Sequence, residues 1–199
     1  MNATASTPSV RSGTNADEGL GIEETLARWR ADEARVRAKM RAFGVARPEA
    51  VAGLSGMEIF EAMFDGRIPA PPIGDTLHFL PVHIEPGYAV FQGTPKFEHY
   101  NPLGTVHGGW FATLLDSAVA CAVHSTLAAG RSYTTIELKT NIVRALTERV
   151  PLVRAEGRVV HAGNQVATAE GRLFGPDGRL YAHASTTCLV FEPRAPKAS

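Results

Sequence analysis

Between His99 and Ser117 the chain reads His-Tyr-Asn-Pro-Leu-Gly-Thr-Val-His-Gly-Gly-Trp-Phe-Ala-Thr-Leu-Leu-Asp-Ser, and its polar groups are of types that can polarise and attack a carbonyl. Gly108 and Gly109 stand where a loop feeds a helix. Without side chains they leave the N–H groups of the first turn open to a ligand oxygen, where the helix dipole also favours negative charge. That is an oxyanion hole in outline, although two glycines also suit close packing at a helix start. Asp116 is the one charge in the apolar run from Trp110 to Leu127, and an acid in such a setting is either paired or employed. His107 either orients a substrate and supports the oxyanion site, or is a helix-start residue whose ring bonds the backbone. Asn101 is the turn residue that Pro102 suggests, or an amide that positions a water or a carbonyl.

These groups need elements to hold them. Trp110 to Leu127 lacks Pro and is largely apolar, long enough for about five turns of a buried central helix. Behind it, Gly130-Arg131-Ser132 is a break and Tyr133 to Val143 a strand. Ile136, Leu138, Thr140 and Ile142 are expected on one face of that strand, with Thr135, Glu137, Lys139 and Asn141 on the other. Leu152 to His161, Gln165 to Phe174 and Leu180 to Phe191 are three further strands, separated by Gly163-Asn164 and Pro176-Asp177-Gly178. Ahead of the helix, Leu77 to Ile84 and Tyr88 to Gln92 flank Glu85-Pro86-Gly87 as a strand pair. The spacing of Ile22, Leu26, Trp29, Val36, Met40 and Phe43 predicts an amphipathic helix over 22–43, interrupted on its apolar side by Glu33 and basic elsewhere. Ser55 and Glu58 form a capping box that starts a short helix carrying Phe60, Met63 and Phe64. Pro69-Ala70-Pro71-Pro72 then predicts an extended connection.

Composition narrows the function classes. Twenty basic and twenty acidic residues give zero formal charge, so no global field recruits nucleic acid or an anionic membrane. Two cysteines, Cys121 and Cys188, form neither a disulfide framework nor a metal-ligand spacing. The histidines His124, His161 and His183 are too scattered for zinc. No apolar run reaches the roughly 18 residues of a membrane span, and the amino terminus lacks signal-peptide order, so a cytoplasmic protein is expected. Asp116-Ser117-Ala118 lacks the frame of a nucleophile elbow, which speaks against a serine hydrolase.

The passage resembles the hotdog-fold acyl-CoA thioesterases of the phenylacetic-acid-pathway type. The matching residues are Asn101, Gly104, His107, Gly108, Gly109 and Asp116, in the pattern N-x-x-G-x-x-H-G-G with Asp seven residues on. With the strands that follow, the likeness covers roughly residues 75 to 191. It implies an α+β hotdog fold, in which an antiparallel sheet wraps a long central helix. It also implies acyl-CoA hydrolysis without metal or cofactor, at sites shared between subunits of a homodimer or a dimer-of-dimers tetramer. By the same resemblance Gly108 polarises the thioester and Asp116 is base or nucleophile. Thr135 stands where the family often carries a Ser or Thr that assists the attacking water. Gly109 joins the substrate contacts. Phe60, Met63 and Phe64 wall the acyl pocket, and Arg144 and Arg158 are candidates for the phosphates of coenzyme A. Two positions depart from the family: Ala162-Gly163-Asn164 replaces a usual Gly-Arg turn, and Ala145 a frequent Pro.

The expected organisation is therefore a loose tail over 1–20, an amphipathic helix within 21–50, the hotdog domain over 51–193 and a loose end over 194–199. Two other readings keep the fold: a non-catalytic acyl-CoA or lipid binder, which does not need Asp116, and a hydratase, for which His107 is the only available base.

Overall fold

The computed structural model describes residue 17 and residues 19–40 and 42–192. Of the tails expected at 1–20 and 194–199, all but Asp17, Gly19 and Leu20 lie outside the described residues. Among the described residues four helices come first: α1 (Ile22–Lys39), α2 (Pro48–Val51), α3 (Gly56–Phe64) and α4 (Pro72–Thr76). Strands β1 (Phe79–Glu85) and β2 (Tyr88–Gly93) follow, then the central helix α5 (Gly108–His124). Four strands complete the fold: β3 (Ser132–Ile142), β4 (Val153–Ala162), β5 (Val166–Phe174) and β6 (Leu180–Phe191). The six strands form one antiparallel sheet in the order β1-β2-β4-β5-β6-β3, and the sheet wraps α5 in the hotdog arrangement.

Helix α5 buries Trp110, Phe111, Leu114, Leu115, Ala118, Val119, Ala122 and Val123 against the sheet. Two glycines let it approach. Gly157 on β4 and Gly171 on β5 are register partners. A Cβ at Gly157 would lie 2.3 Å from the Ala118 carbonyl oxygen, and one at Gly171 2.6 Å from Val119 Cγ1. The helix crosses the sheet over this bare patch.

The prolines before β1 do not lay down only an extended connection, because Pro72 opens α4 at a position where a missing N–H costs nothing. Helix α1 stops at Lys39, and Phe43 instead forms an isolated bridge to Ala70. The capping box of α3 forms as expected, with Ser55 N–H donating to Glu58 Oε2 at 2.7 Å and Glu58 N–H to Ser55 Oγ at 3.4 Å.

Helix α1 covers the sheet face opposite α5, and the acids that interrupt its apolar stripe are what tie it there. Arg154, buried on β4, donates to Asp32 Oδ2 at 2.8 Å and to Gln92 Oε1 at 3.0 Å. Gln92 in turn donates to Glu33 Oε2 at 2.8 Å and to the Trp29 carbonyl at 3.2 Å. The Arg154 guanidinium lies 4.7 Å over the Trp29 ring. Removing the cation strands Gln92 Oε1, whereas Asp32 keeps Arg35 on its Oδ1 at 2.9 Å and, with its side chain 28% exposed, recovers some hydration on the other oxygen. Arg154→Ala is therefore expected to cost about 2–3 kcal/mol, short of the full cost of breaking a buried pair. The check is the midpoint of urea unfolding for Arg154→Ala against wild type.

Candidate active site

The amino end of α5 is held by the loop before it. Asn101 Oδ1 accepts from Leu103 N–H at 2.9 Å and Thr105 N–H at 3.3 Å, while its Nδ2 donates to Thr105 Oγ1 at 3.0 Å. Asn101 thus knots its own turn, the structural role its Pro neighbour suggested. His107 N–H donates to the His99 carbonyl at 2.7 Å, and Val106 N–H to the Leu146 carbonyl at 2.9 Å, which fixes the entry to the helix. His107 is the N-cap: its Nδ1 accepts from Gly109 N–H at 2.8 Å. The cap consumes one of the two glycine donors. Among the described residues nothing accepts from Gly108 N–H, so this N–H, at the positive end of the helix dipole, is free for a ligand.

Asp116 sits two turns along α5, on the face turned away from the sheet core. Thr135 Oγ1 donates to its Oδ1 at 3.2 Å. Burial raises the carboxyl above the ordinary carboxylate range, and the Thr135 bond partly offsets that by favouring the charged form. Thr135 reaches α5 because of a bulge. The β3–β6 register shifts between Thr135 and Glu137, so Tyr133 and Leu138 face the core together with Thr135 while Ile136 is left 59% exposed. The simple alternation that placed Ile136 and Leu138 on one face fails here, since a bulge inserts an extra residue and reverses the parity. Strand β3 is also an edge of the sheet, with Ile136, Ile142 and Val143 exposed along it.

The other anticipated contacts divide. Ile142 Cδ1 lies 3.2 Å from where a Gly108 Cβ would stand, so Arg144, exposed two residues further on, is at the same end as the helix amino terminus. Arg158 is not: it stacks on Tyr88 at 3.9 Å on the face that α1 covers. Phe60 and Met63 are core residues, with Phe60 edge-on to His124 at 5.0 Å between ring centroids, and Phe64 packs partly buried beside them. His124, which Phe60 touches, is eight residues beyond Asp116, about 12 Å along the helix. The same arithmetic separates Gly108 from Asp116 within one chain by about 12 Å.

One cluster was invisible in the sequence. His78, Glu98 and His99 bring ligand atoms within 4.8 Å of one another. His99 is buried and stacked on Trp110, and its Nδ1 accepts from Lys96 N–H at 3.1 Å. That acceptor role puts the neutral ring's proton on Nε2, which faces His78 Nδ1 at 3.1 Å. The tautomer that satisfies Lys96 thus occupies the lone pair a cation would need, and the pair reads as a hydrogen-bonded link behind the helix entry. No spacing signal joins positions 21 apart across a strand pair.

The family model described as the thioesterase superfamily matches residues 103–182. Among solved structures, a candidate thioesterase, a phenylacetic acid degradation-related protein from Ralstonia eutropha JMP134, is 30% identical. Its TM-score is 0.60, over 65% of this chain and 98% of that one. A variant of the phenylacetic acid degradation protein PaaI from Thermus thermophilus is 27% identical, with a TM-score of 0.53 over 59% of this chain and 97% of that one. A Streptococcus mutans UA159 protein solved bound to acetyl CoA is 23% identical, with a TM-score of 0.53 over 59% and 92%, a likeness of fold alone. A comparison with curated proteins gave no match. Among the described residues no helix is long and apolar enough to cross a membrane.

Proposed function

The chain belongs to the hotdog-fold thioesterase superfamily, and from that premise we propose that it hydrolyses an acyl-CoA thioester at a site shared by two copies of the chain. The observation that carries the reading is the Asp116–Thr135 pair, a desolvated carboxylate held by a hydroxyl at 3.2 Å on the open face of α5. Such a group, once ionised, can serve as base or nucleophile, and the raised affinity for a proton makes it a stronger base than an ordinary carboxylate. The free N–H of Gly108 supplies the complementary part, a fixed donor at a helix amino end for the oxygen that gains charge. Water adds to the carbonyl carbon, the carbon–sulfur bond breaks, and the thiol leaves with the proton. No metal or cofactor is drawn upon.

The shared site follows from distance. A carbonyl and its attacker must lie about 3–3.5 Å apart, and Gly108 and Asp116 of one chain are about 12 Å apart along α5. Two α5 helices packed antiparallel across a two-fold axis bring Asp116 of one chain to Gly108 of the other. The exposed apolar side chains of the β3 edge suit such a contact. Arg144, near the helix entry, is the candidate for the coenzyme A phosphates.

A panel of acyl-CoA substrates assayed with a thiol reagent tests the reading, with release of free coenzyme A expected for at least one. Tight binding without cleavage of any of them would leave a binding protein instead. A single turnover in heavy-oxygen water then assigns the role of Asp116: label in its carboxylate marks a nucleophile, and label confined to the product acid marks a base.

A further inference from the structure

Strand β3 falls out of step at one residue. It pairs regularly with β6 from Ser132 opposite Phe191 to Thr135 opposite Cys188, and again from Glu137 opposite Thr187 to Ile142 opposite Ala182, so Ile136 is the extra residue between the two runs. Regular alternation would turn Ile136 toward α5 and Thr135 away from it. Hydrophobic burial favours that arrangement, because the bulge leaves Ile136 59% exposed. What opposes it is the grip of β6 on Glu137, the residue that closes the bulge. On the inner face of the sheet Thr186, 2% exposed, donates from its hydroxyl to the Glu137 carbonyl at 2.8 Å. On the outer face the Thr187 hydroxyl donates to Glu137 Oε2 at 3.4 Å. The inner bond is the stronger constraint, since a hydroxyl buried on the core face needs a protein acceptor, whereas Thr187 can turn to water.

We propose that Thr186 is a positioning residue of the hydrolytic site: by pinning Glu137 it fixes the bulge, and the bulge holds the Thr135 hydroxyl on Asp116. The inference rests on the acyl-CoA hydrolase reading and deepens it. The one hydroxyl proton of Thr186 is committed to the Glu137 carbonyl, so Thr186 acts through Thr135 and not on the reacting atoms. Cys188, the register partner of Thr135, is fully buried. The hydroxyls of Thr135 and Thr186 both favour its charged form, which gathers the two threonines around one sulfur on the core side of β6. The titratable groups that feel the Asp116 charge are Cys121 on α5, Tyr133 on β3 and Cys188 on β6, and burial pushes all three up, so they stay neutral. None of them gives Asp116 a counter-charge, and the Thr135 hydroxyl is the group that favours its ionised form. Loosening the bulge therefore changes the proton affinity of Asp116.

Titration of the Asp116 carboxyl by carboxyl-carbon NMR on the intact, isotope-labelled protein, with the resonance assigned by its loss in Asp116→Asn, gives a test that does not depend on turnover. Thr186→Val, which keeps the side-chain shape and removes the hydroxyl, is expected to move the titration to higher pH, in the same direction as Thr135→Val and by no more. The acid limb of kcat/KM should move with it. In a chain already carrying Thr135→Val, adding Thr186→Val is expected to change nothing further, because the hydroxyl it positions is gone. Thr186→Ser keeps the donor and is expected to titrate as wild type does. Thr186→Ala removes the donor without pressing a methyl against the Glu137 carbonyl, so it serves where valine is not accommodated and is expected to give the same shift. Arg154→Ala, which weakens the opposite face of the sheet, is the control for lost stability alone and should leave the titration in place. An unmoved titration in folded Thr186→Val or Thr186→Ala chains would overturn the proposal, as would a displaced one in Thr186→Ser or an additive shift in the double variant. The two readings fail separately. If no acyl-CoA is cleaved but the titrations follow this pattern, the hydrolase reading falls and the hold of Thr186 on the Asp116–Thr135 pair stands; cleavage with a titration indifferent to position 186 removes Thr186 alone.

Discussion

Replacing Asp116 with Asn is expected to lower kcat by about a thousandfold and, at neutral pH, to raise the melting temperature. The first effect follows from the proposed role, since an amide neither accepts the proton of water nor attacks a thioester, and loss of a general base costs about 10²–10⁴ in rate. The second follows from the direction of the carboxyl's shift. Burial raises the Asp116 carboxyl in the folded chain above its ordinary value, so folding binds a proton more tightly and is opposed wherever the group must be charged. That opposition is complete above the raised pKa and is relieved as pH falls through it. The stability advantage of Asp116→Asn should therefore be present at pH 7 and shrink in acid. Activity has the same pivot: hydrolysis by wild type should fall on the acid side at a pH above that of an ordinary carboxylate. Thr135→Val removes the donor that favours the charged form, so it should move this acid limb to still higher pH. Differential scanning calorimetry across pH, together with pH profiles of kcat/KM, checks all three. Retention of most activity by Asp116→Asn would remove the residue from the mechanism, and an unmoved acid limb in Thr135→Val would detach the hydroxyl from it.

The same site shows where sequence reading works and where it stops. The glycines, His107 and Asp116 were legible because they are close in the chain and one helix positions them all; helical rise is also what motivates the proposal that two copies share the site. The strands were legible because Gly163-Asn164 and Pro176-Asp177-Gly178 punctuate them. What escaped depends on partners distant in sequence. The β3 bulge that turns Thr135 toward Asp116 is set by register with β6, and no pattern within Tyr133 to Val143 announces it. Glu33 looked like a flaw in an apolar stripe until Gln92 and Arg154 appeared across from it as its reason. Phe60 and Met63, placed at the acyl pocket by resemblance, are buried in the core, and Phe60 packs edge-on against His124 near the carboxyl end of α5.

Gly108→Pro is expected to reduce hydrolysis by about 10²–10³ while leaving the fold intact, and to regain activity when paired with chains carrying Asp116→Asn. Gly108 is the first residue of α5, where proline fits the helix and only its N–H is forfeited. That N–H has no acceptor among the described residues, so the folded chain loses no bond. His107 ahead of it has ψ 141°, the extended conformation that a following proline requires. A Cβ there meets only the flexible end of Ile142, at 3.2 Å. The loss in rate is that of one oxyanion donor. Each variant alone should be nearly inactive as a homodimer. In a mixed dimer made by unfolding and refolding the two together, one site combines the chain carrying Gly108→Pro with the helix carrying Asp116→Asn and is doubly damaged, whereas the other combines an intact Gly108 with an intact Asp116. Random pairing makes half the dimers mixed with half their sites whole, so about a quarter of wild-type activity per chain should return. If Gly108 and Asp116 served one site within one chain, every site in a mixed dimer would carry a defect and nothing would be regained. Native mass spectrometry that finds the mixed dimers alongside an assay that finds no recovered hydrolysis would eliminate the shared site.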